Sequence, residues 1–131
     1  MIDLAEHNSG SYIPLKDISA RQNISRKYME TSMTMLSKGK LVEGVHGKGG
    51  GYRLNREPEA YKVREILLLT EGTLAPVACL ECGAKPCAYA GQCRTLPMWD
   101  KLNTMINDYL DSVSIADLMR GDCCAQRNRE Q

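Results

Sequence analysis

Four of the chain's six cysteines fall within fifteen residues, Cys79, Cys82, Cys87 and Cys93, spaced C-x2-C-x4-C-x5-C. Thiols so crowded suit four kinds of chemistry. A structural zinc ion needs four tetrahedral thiolates, and the count fits, although zinc ribbons usually set two CxxC pairs farther apart. Cys79 and Cys82 form a CxxC pair, but a redox pair of that kind wants a βαβ setting. The thiols can stay unmetallated, as surface groups or as direct oxidation sensors. Finally, cysteine thiolates ligate iron–sulfur clusters. Gly83, Pro86 and Gly91 make the segment a loop, which lets several sulfurs turn toward one point. The residues alone leave all four readings open.

A second set of residues suits a polyanion. Ser25, Arg26, Lys27, Tyr28, Glu30 and Thr31 open one predicted helix, and a helix is the element that fits the major groove of B-DNA. Its first turns reach base edges in helix-turn-helix proteins. Lys27 can donate to guanine and Glu30 can accept from cytosine, each good contact giving about 1–3 kcal/mol of discrimination. The Ser25 and Tyr28 hydroxyls are better suited to phosphates. Farther on, His46, Lys48 and Arg53 flank the run Gly47-Lys48-Gly49-Gly50-Gly51. Glycines remove side chains where a backbone must approach phosphates or enter the minor groove. Each element alone is ordinary; a solvated helix face and a glycine-rich turn are both common. Their order and their shared basic character point to DNA.

The elements that must position these residues follow from the pattern. Residues 1–7 read as helix and residues 8–12 as loop. Pro14 fits a helix first turn, where its missing N–H is harmless, and Leu15 and Ile18 share a face of that short helix. Asn23 suits a turn and Ser25 an N-cap. The helix over 26–38 buries Met29, Met33 and Leu36, presents Lys27, Glu30, Thr31, Thr34 and Lys38, and is expected to stop at Gly39. Two short helices joined by a tight turn read as helix-turn-helix. Leu41, Val42, Val45, Tyr52 and Leu54 read as strand residues around a glycine tip needing positive φ, which makes a wing. Residues 57–72 read as one helix with Val63, Ile66, Leu67 and Thr70 on one side and Gly72 at its end. After the cysteines comes the longest amphipathic stripe: Met98, Leu102, Met105, Ile106, Tyr109, Leu110 and Val113. Such a stripe is too large for the rest of the chain to cover and is expected to pack against a second copy. Ile115, Leu118 and Met119 suggest a short final helix, and the polar end, with Cys123 and Cys124, is expected to be disordered and without a chemical part.

The totals bound the answer. The 131 residues suffice for one domain, or one domain plus an extension, and at 43% apolar and 25% charged they have the composition of a globular protein. No apolar run spans a bilayer and no signal peptide stands out, so the cytoplasm is expected, where clustered cysteines serve metal or redox roles more often than disulfides. The net charge of +1 hides an asymmetry: residues 1–56 hold nine Lys/Arg against five Asp/Glu, residues 57–131 eight against eleven. A basic first half suits a nucleic-acid partner. Paired carboxylates, a nucleophile triad and a phosphate loop are all missing, so an enzyme is not expected.

The pieces "LKDIS", "IS..Y.E", "KGKLVEGV", "GKGGGYRL" and "C.TLPMW…L…DYLDSVSIADL" together resemble the IscR/NsrR/CymR-type winged-helix regulators of bacteria, across residues 1–119. The resemblance implies a mainly α fold with a small β-hairpin: a winged helix-turn-helix domain and a long C-terminal dimerisation helix. It implies two chains paired through that helix, each presenting one winged helix to a palindromic double-stranded operator whose half-sites lie about one helical turn apart. The expected divisions are residues 1–72 for the winged helix, 73–96 for the cysteine loop, 97–119 for the dimerisation and final helices, and 120–131 for the tail. Iron–sulfur members carry three cysteines in this loop, and Cys82, Cys87 and Cys93 match them, with one residue fewer between the first two. The implied cofactor is a [2Fe–2S] or [4Fe–4S] cluster. The fourth ligand is a His in IscR-like members, at the position of Leu96 here, and an acidic residue near the N-terminus in NsrR-like members. Cys79 is the local candidate and His7 a conceivable one.

Two departures stand out. The family's wing often has Arg where this chain has His46, and the family usually begins earlier, with a basic stretch opening the first helix. The genes implied are those of cluster assembly, cysteine metabolism or nitrosative stress. A cluster-free, CymR-like repressor controlled by a partner protein and a zinc-stabilised DNA-binding module are the alternatives.

Overall fold

Helices and a single hairpin alternate in the computed structural model, which describes residues 1–81, 89 and 91–121. Helix α1 spans Ile2–Glu6, α2 Leu15–Gln22 and α3 Arg26–Lys38. Strands β1, Val42–Val45, and β2, Gly51–Leu54, follow, then α4, Val63–Glu71, α5, Leu96–Ser112, and α6, Ile115–Arg120. The strands pair antiparallel with Val42 opposite Leu54 and Val45 opposite Gly51. Leu4, Ile18, Met33, Leu36, Leu41, Val42, Leu54 and Ile115 meet in one core, so each of these helices and strands except α4 and α5 sends a buried side chain into it. The mainly helical winged helix-turn-helix expected from the pattern is the fold observed.

Local signals placed the first helices well. Asn23 takes the left-handed conformation at the end of α2, φ 52°, a geometry that Asn tolerates better than most residues. Pro14 sits one position ahead of the expected first turn, as the extended residue preceding α2. Helix α3 ends at Gly39, but the left-handed residue there is Lys40, φ 61°, while Gly39 has φ −78°. Position 39 instead lies close against α4: a Cβ there would meet the methyl groups of Leu69, and that side chain would have to shift.

Residues 57–72, expected as one helix, divide. Pro58–Ala60 form a single 3-10 turn, Tyr61 and Lys62 are extended, and α4 begins only at Val63. The cause is Tyr61, which is fully buried at 0% exposure. Its hydroxyl donates to the Leu41 carbonyl at 2.7 Å and accepts from the Asn55 and Arg56 N–H groups at 3.0 and 3.1 Å. The backbone on either side pairs with the stretch after α5: Ile115 N–H donates to Tyr61 O at 3.0 Å, and Val63 N–H to Val113 O at 2.9 Å. A continuous helix would give up this bridge and the burial of the ring, which contributes about 1.5–3 kcal/mol.

Helix α5 has no buried residue. Met98, Leu102, Met105 and Tyr109 are 37–57% exposed along one side. The helix stops at Ser112, so Val113, expected to end the apolar stripe, leaves the helix and is buried in the bridge to Val63. The opposite side of α5 packs on α4, where Arg64 Nε donates to Asn107 Oδ1 at 2.8 Å and Asn107 Nδ2 donates to the Asn103 carbonyl at 2.7 Å. Helix α6 turns back onto α1 and the 58–60 turn. Ser114 starts it with a reciprocal cap: its hydroxyl accepts from Asp117 N–H at 3.1 Å, and Asp117 Oδ2 accepts from Ser114 N–H at 2.9 Å.

Candidate nucleic-acid interface and cysteine segment

Ser25 opens α3 by accepting the Tyr28 N–H at 3.2 Å, leaving its own O–H free to donate outward. Beyond it, Arg26, Lys27, Tyr28, Glu30 and Thr31 are all exposed. Arg26 Nε lies 3.6 Å from Glu30 Oε1, one turn along. The Thr31 hydroxyl donates to the Lys27 carbonyl at 3.4 Å, so toward a ligand it offers an acceptor. Tyr28, an aromatic ring with 68% exposure, has no packing reason to point into solvent.

The hairpin stands beside this helix. Gly47 and Gly49 supply the positive φ angles of its tip, and His46 and Lys48 are exposed there. Between α3 and the hairpin runs an open cleft of about 620 Å³, lined among others by Lys16, Arg26, Glu30, Thr34, Lys38 and His46. Arg26, Glu30 and His46, all read as site residues, therefore meet in one cleft. Ser25, Lys27, Tyr28 and Thr31 lie on the exposed face of α3, and Lys48 on the hairpin tip, outside the cleft lining. Arg53 is turned elsewhere: its Nε donates to Glu43 Oε2 at 2.8 Å and its Nη1 to the Gly10 carbonyl at 3.1 Å.

Of the polar and charged residues named in the cleft, Lys16, Thr34 and Lys38 are not among the DNA-contacting residues expected from sequence. Thr34 and Lys38 follow from the same helical period that selected Glu30 and Thr31. Lys16 has no comparable signal, because only the packing of α2 on α3 brings it to the cleft. With Lys16, Arg26 and Lys38 against Glu30, the lining carries an excess of cations, as a duplex backbone requires.

The cysteine segment is described at its two ends. Cys79 is exposed in the 3-10 turn Ala78–Leu80, and Cys93 is half-buried just ahead of α5. Cys93 Sγ lies 3.4 Å from Thr95 Oγ1. That hydroxyl first, and then backbone hydrogen bonds from Thr95 and Leu96, hold the thiol below its usual range, so the environment favours the thiolate that ligation requires. Cys82 and Cys87 lie outside the described residues, as do Cys123 and Cys124. Among the described residues, no three of His, Cys, Asp and Glu converge as they would around a metal ion. Leu96, at the position where IscR-like members carry His, is the first residue of α5. His7 is engaged at the end of α1, with Nδ1 donating to the Asp3 carbonyl at 2.9 Å.

A helix-turn-helix with a basic hairpin against its second helix defines a winged-helix DNA-binding protein. More narrowly, the chain belongs to the Rrf2 family of iron-dependent transcriptional regulators, which it matches over residues 1–121. The HTH-type transcriptional regulator IscR of Aliivibrio salmonicida is 35% identical over 119 residues, 91% of this chain and 70% of that protein. The structure of T. potens IscR superposes with a TM-score of 0.70 at 33% identity, covering 92% of this chain and 78% of that one. CymR, described as the global cysteine regulator of B. subtilis, gives 0.71 at 28% identity, covering 91% and 86%. The family and the Aliivibrio salmonicida relative are named as transcriptional regulators, not as enzymes, in keeping with a chain expected to be no enzyme. None of the helices among the described residues is long and apolar enough to cross a membrane.

Proposed function

We propose that the chain is a cytoplasmic homodimer that binds palindromic operator DNA, its affinity set by an iron–sulfur cluster. The observation that carries the DNA half is the cation-rich cleft shared by α3 and the hairpin, with Arg26, Glu30 and His46 in it and Lys27, Tyr28 and Lys48 exposed outside its lining. Ser25 and Tyr28 hold phosphates, Lys27 and Glu30 face bases, and Lys48 follows the backbone into the neighbouring groove. The exposed apolar side of α5 supports pairing of two chains, which would set two such surfaces on one duplex.

Cys82, Cys87 and Cys93 would hold the cluster, with Cys79 as the thiol at hand for the fourth position. The thiolate-favouring surroundings of Cys93 suit a ligand. When bound, a cluster supplies a centre sensitive to oxidants, nitric oxide and iron supply. The rest belongs to the chain. Residues 73–95 join α4 to α5, and those helices touch through Arg64 and Asn107. Ligation by cysteines of the joining segment would bias the angle between them, and with it the spacing of the two α3 helices. About 1–3 kcal/mol of such coupling changes DNA affinity up to roughly a hundredfold. Genes of cluster assembly, cysteine metabolism or nitrosative stress are the targets that fit the likeness to IscR and CymR.

The likeness to CymR favours a second reading, a cluster-free regulator controlled by a partner protein. Anaerobic purification separates the two. A coloured protein with iron and acid-labile sulfide, lost in Cys87→Ala and Cys93→Ala, is expected. A colourless protein without iron points to the second reading, and one containing zinc to a zinc-stabilised module. For the DNA half, Lys48→Ala should weaken duplex binding and flatten its salt dependence by about one ion per subunit, and Lys27→Ala should weaken it and relax the base preference at the contacted position.

A further inference from the structure

Arg53 is basic, lies in the wing and is not among the residues lining the cleft. Its contacts run the other way. Glu43, its partner by strand register, accepts from Nε at 2.8 Å; the Gly10 carbonyl accepts from Nη1 at 3.1 Å; and the guanidinium carbon sits 4.5 Å from the centre of the Tyr12 ring. Gly10 and Tyr12 belong to the segment that leads from α1 into α2. The next residue, Ile13, is bridged to Tyr52: Ile13 N–H donates to Tyr52 O at 2.8 Å, and Tyr52 N–H to Ile13 O at 2.9 Å. Strand β2, between β1 and Ile13, is thereby bound to the entry of the helix-turn-helix at two consecutive residues. One planar guanidinium makes the ion pair, the carbonyl contact and the stack at once, which a lysine ammonium cannot.

We propose that Arg53 is a positioning residue. Gripped by Glu43, Tyr12 and the Gly10 carbonyl, it fixes the angle of the wing against α2 and α3 so that His46 and Lys48 meet the duplex, and it makes no phosphate contact itself. The role rests on the reading of α3 and the wing as the DNA-binding surface. It is directional rather than a matter of overall stability, because an ion pair as exposed as this one, 38% and 45%, adds little to folding.

The test uses the full chain and a duplex selected from a random pool on the wild-type protein. In Arg53→Met, the Ile13 and Tyr52 amides should exchange faster while the melting temperature holds; unchanged exchange overturns the grip itself. In binding, Arg53→Met should weaken the complex roughly tenfold with an unchanged salt slope, and in that background the loss from Lys48→Ala should shrink below about twofold while the loss from Lys27→Ala persists. Arg53→Lys should fail to rescue. A slope flattened by about one ion per subunit, rescue by lysine, or an undiminished Lys48→Ala effect makes Arg53 a phosphate contact and overturns the role. Should Lys48→Ala have no effect on the wild-type background, the DNA-surface reading falls and the role with it, while the exchange result stands on its own. Glu43→Gln, which leaves the Gly10 and Tyr12 contacts in place, should show the same pattern at smaller amplitude and serves if Arg53→Met folds poorly.

Discussion

The winged-helix core and helix α5 are built from similar residues and end in opposite states. Leu4, Leu41 and Tyr61 are at most 2% exposed, each closed in by neighbours from several elements. Met98, Met105 and Tyr109, no less apolar, stand more than half exposed on a helix of 17 residues. Burial therefore follows from what the chain has available to cover a side chain, not from hydrophobicity alone. The core completes itself within one chain, whereas α5 is completed on one side only, by α4. A contiguous exposed apolar stripe of this kind marks an interaction surface.

That contrast can be broken by measurement, beginning with the largest effect. Leu41→Ala should lower the unfolding free energy by about 2–5 kcal/mol in urea titration, while Leu102→Ala in dilute protein should cost less than about 1 kcal/mol. Equal losses would mean that the two regions do not differ in the way described. Met105→Glu should leave the urea midpoint of dilute protein in place yet drive sedimentation equilibrium toward single chains and weaken duplex binding tenfold or more, roughly 1.4 kcal/mol. An unchanged mass distribution would remove α5 as the pairing surface.

Asp3 sharpens the comparison from the side of the core. It is a buried carboxylate, held below its usual range first by the Arg21 guanidinium, which donates at 2.6 and 3.0 Å, and also by Gln22. A group whose folded pKa is depressed adds stability above its unfolded value, about 3.9 for Asp, and that stability drains away as pH falls through the folded value. Asp3→Asn should therefore lose stability at neutral pH and show a flatter acid limb below about pH 4, with no new slope at higher pH. The smallest effect belongs to the cap of α6: Ser114→Ala should cost about 1 kcal/mol, measured in the same titration.

Legibility from sequence tracked how local the determining contacts are. Helix α3 was readable to the residue because Ser25 and Gly39 lie at its own ends. The break at Tyr61 was not, because the groups that hold it extended, at Val113 and Ile115, are distant in sequence. The stripe of α5 was visible in its period, but Val113 was assigned to it because nothing local announces that the chain leaves the helix there. In the candidate site, the cap at Ser25 and the polar face of α3 could be read directly. The wing's basic residues were visible by type, while the register that sets Glu43 opposite Arg53 emerges only once the strands pair. Lys16 was hidden for the same reason.

The backbone bridge between residues 61–63 and 113–115 clamps the C-terminal end of α5 to the folded body beside Tyr61. Farther back along the helix, Arg64 ties Asn107 to α4. The end next to Cys93 lies farthest from the clamp, so a given force applied there would have the longest lever on the helix.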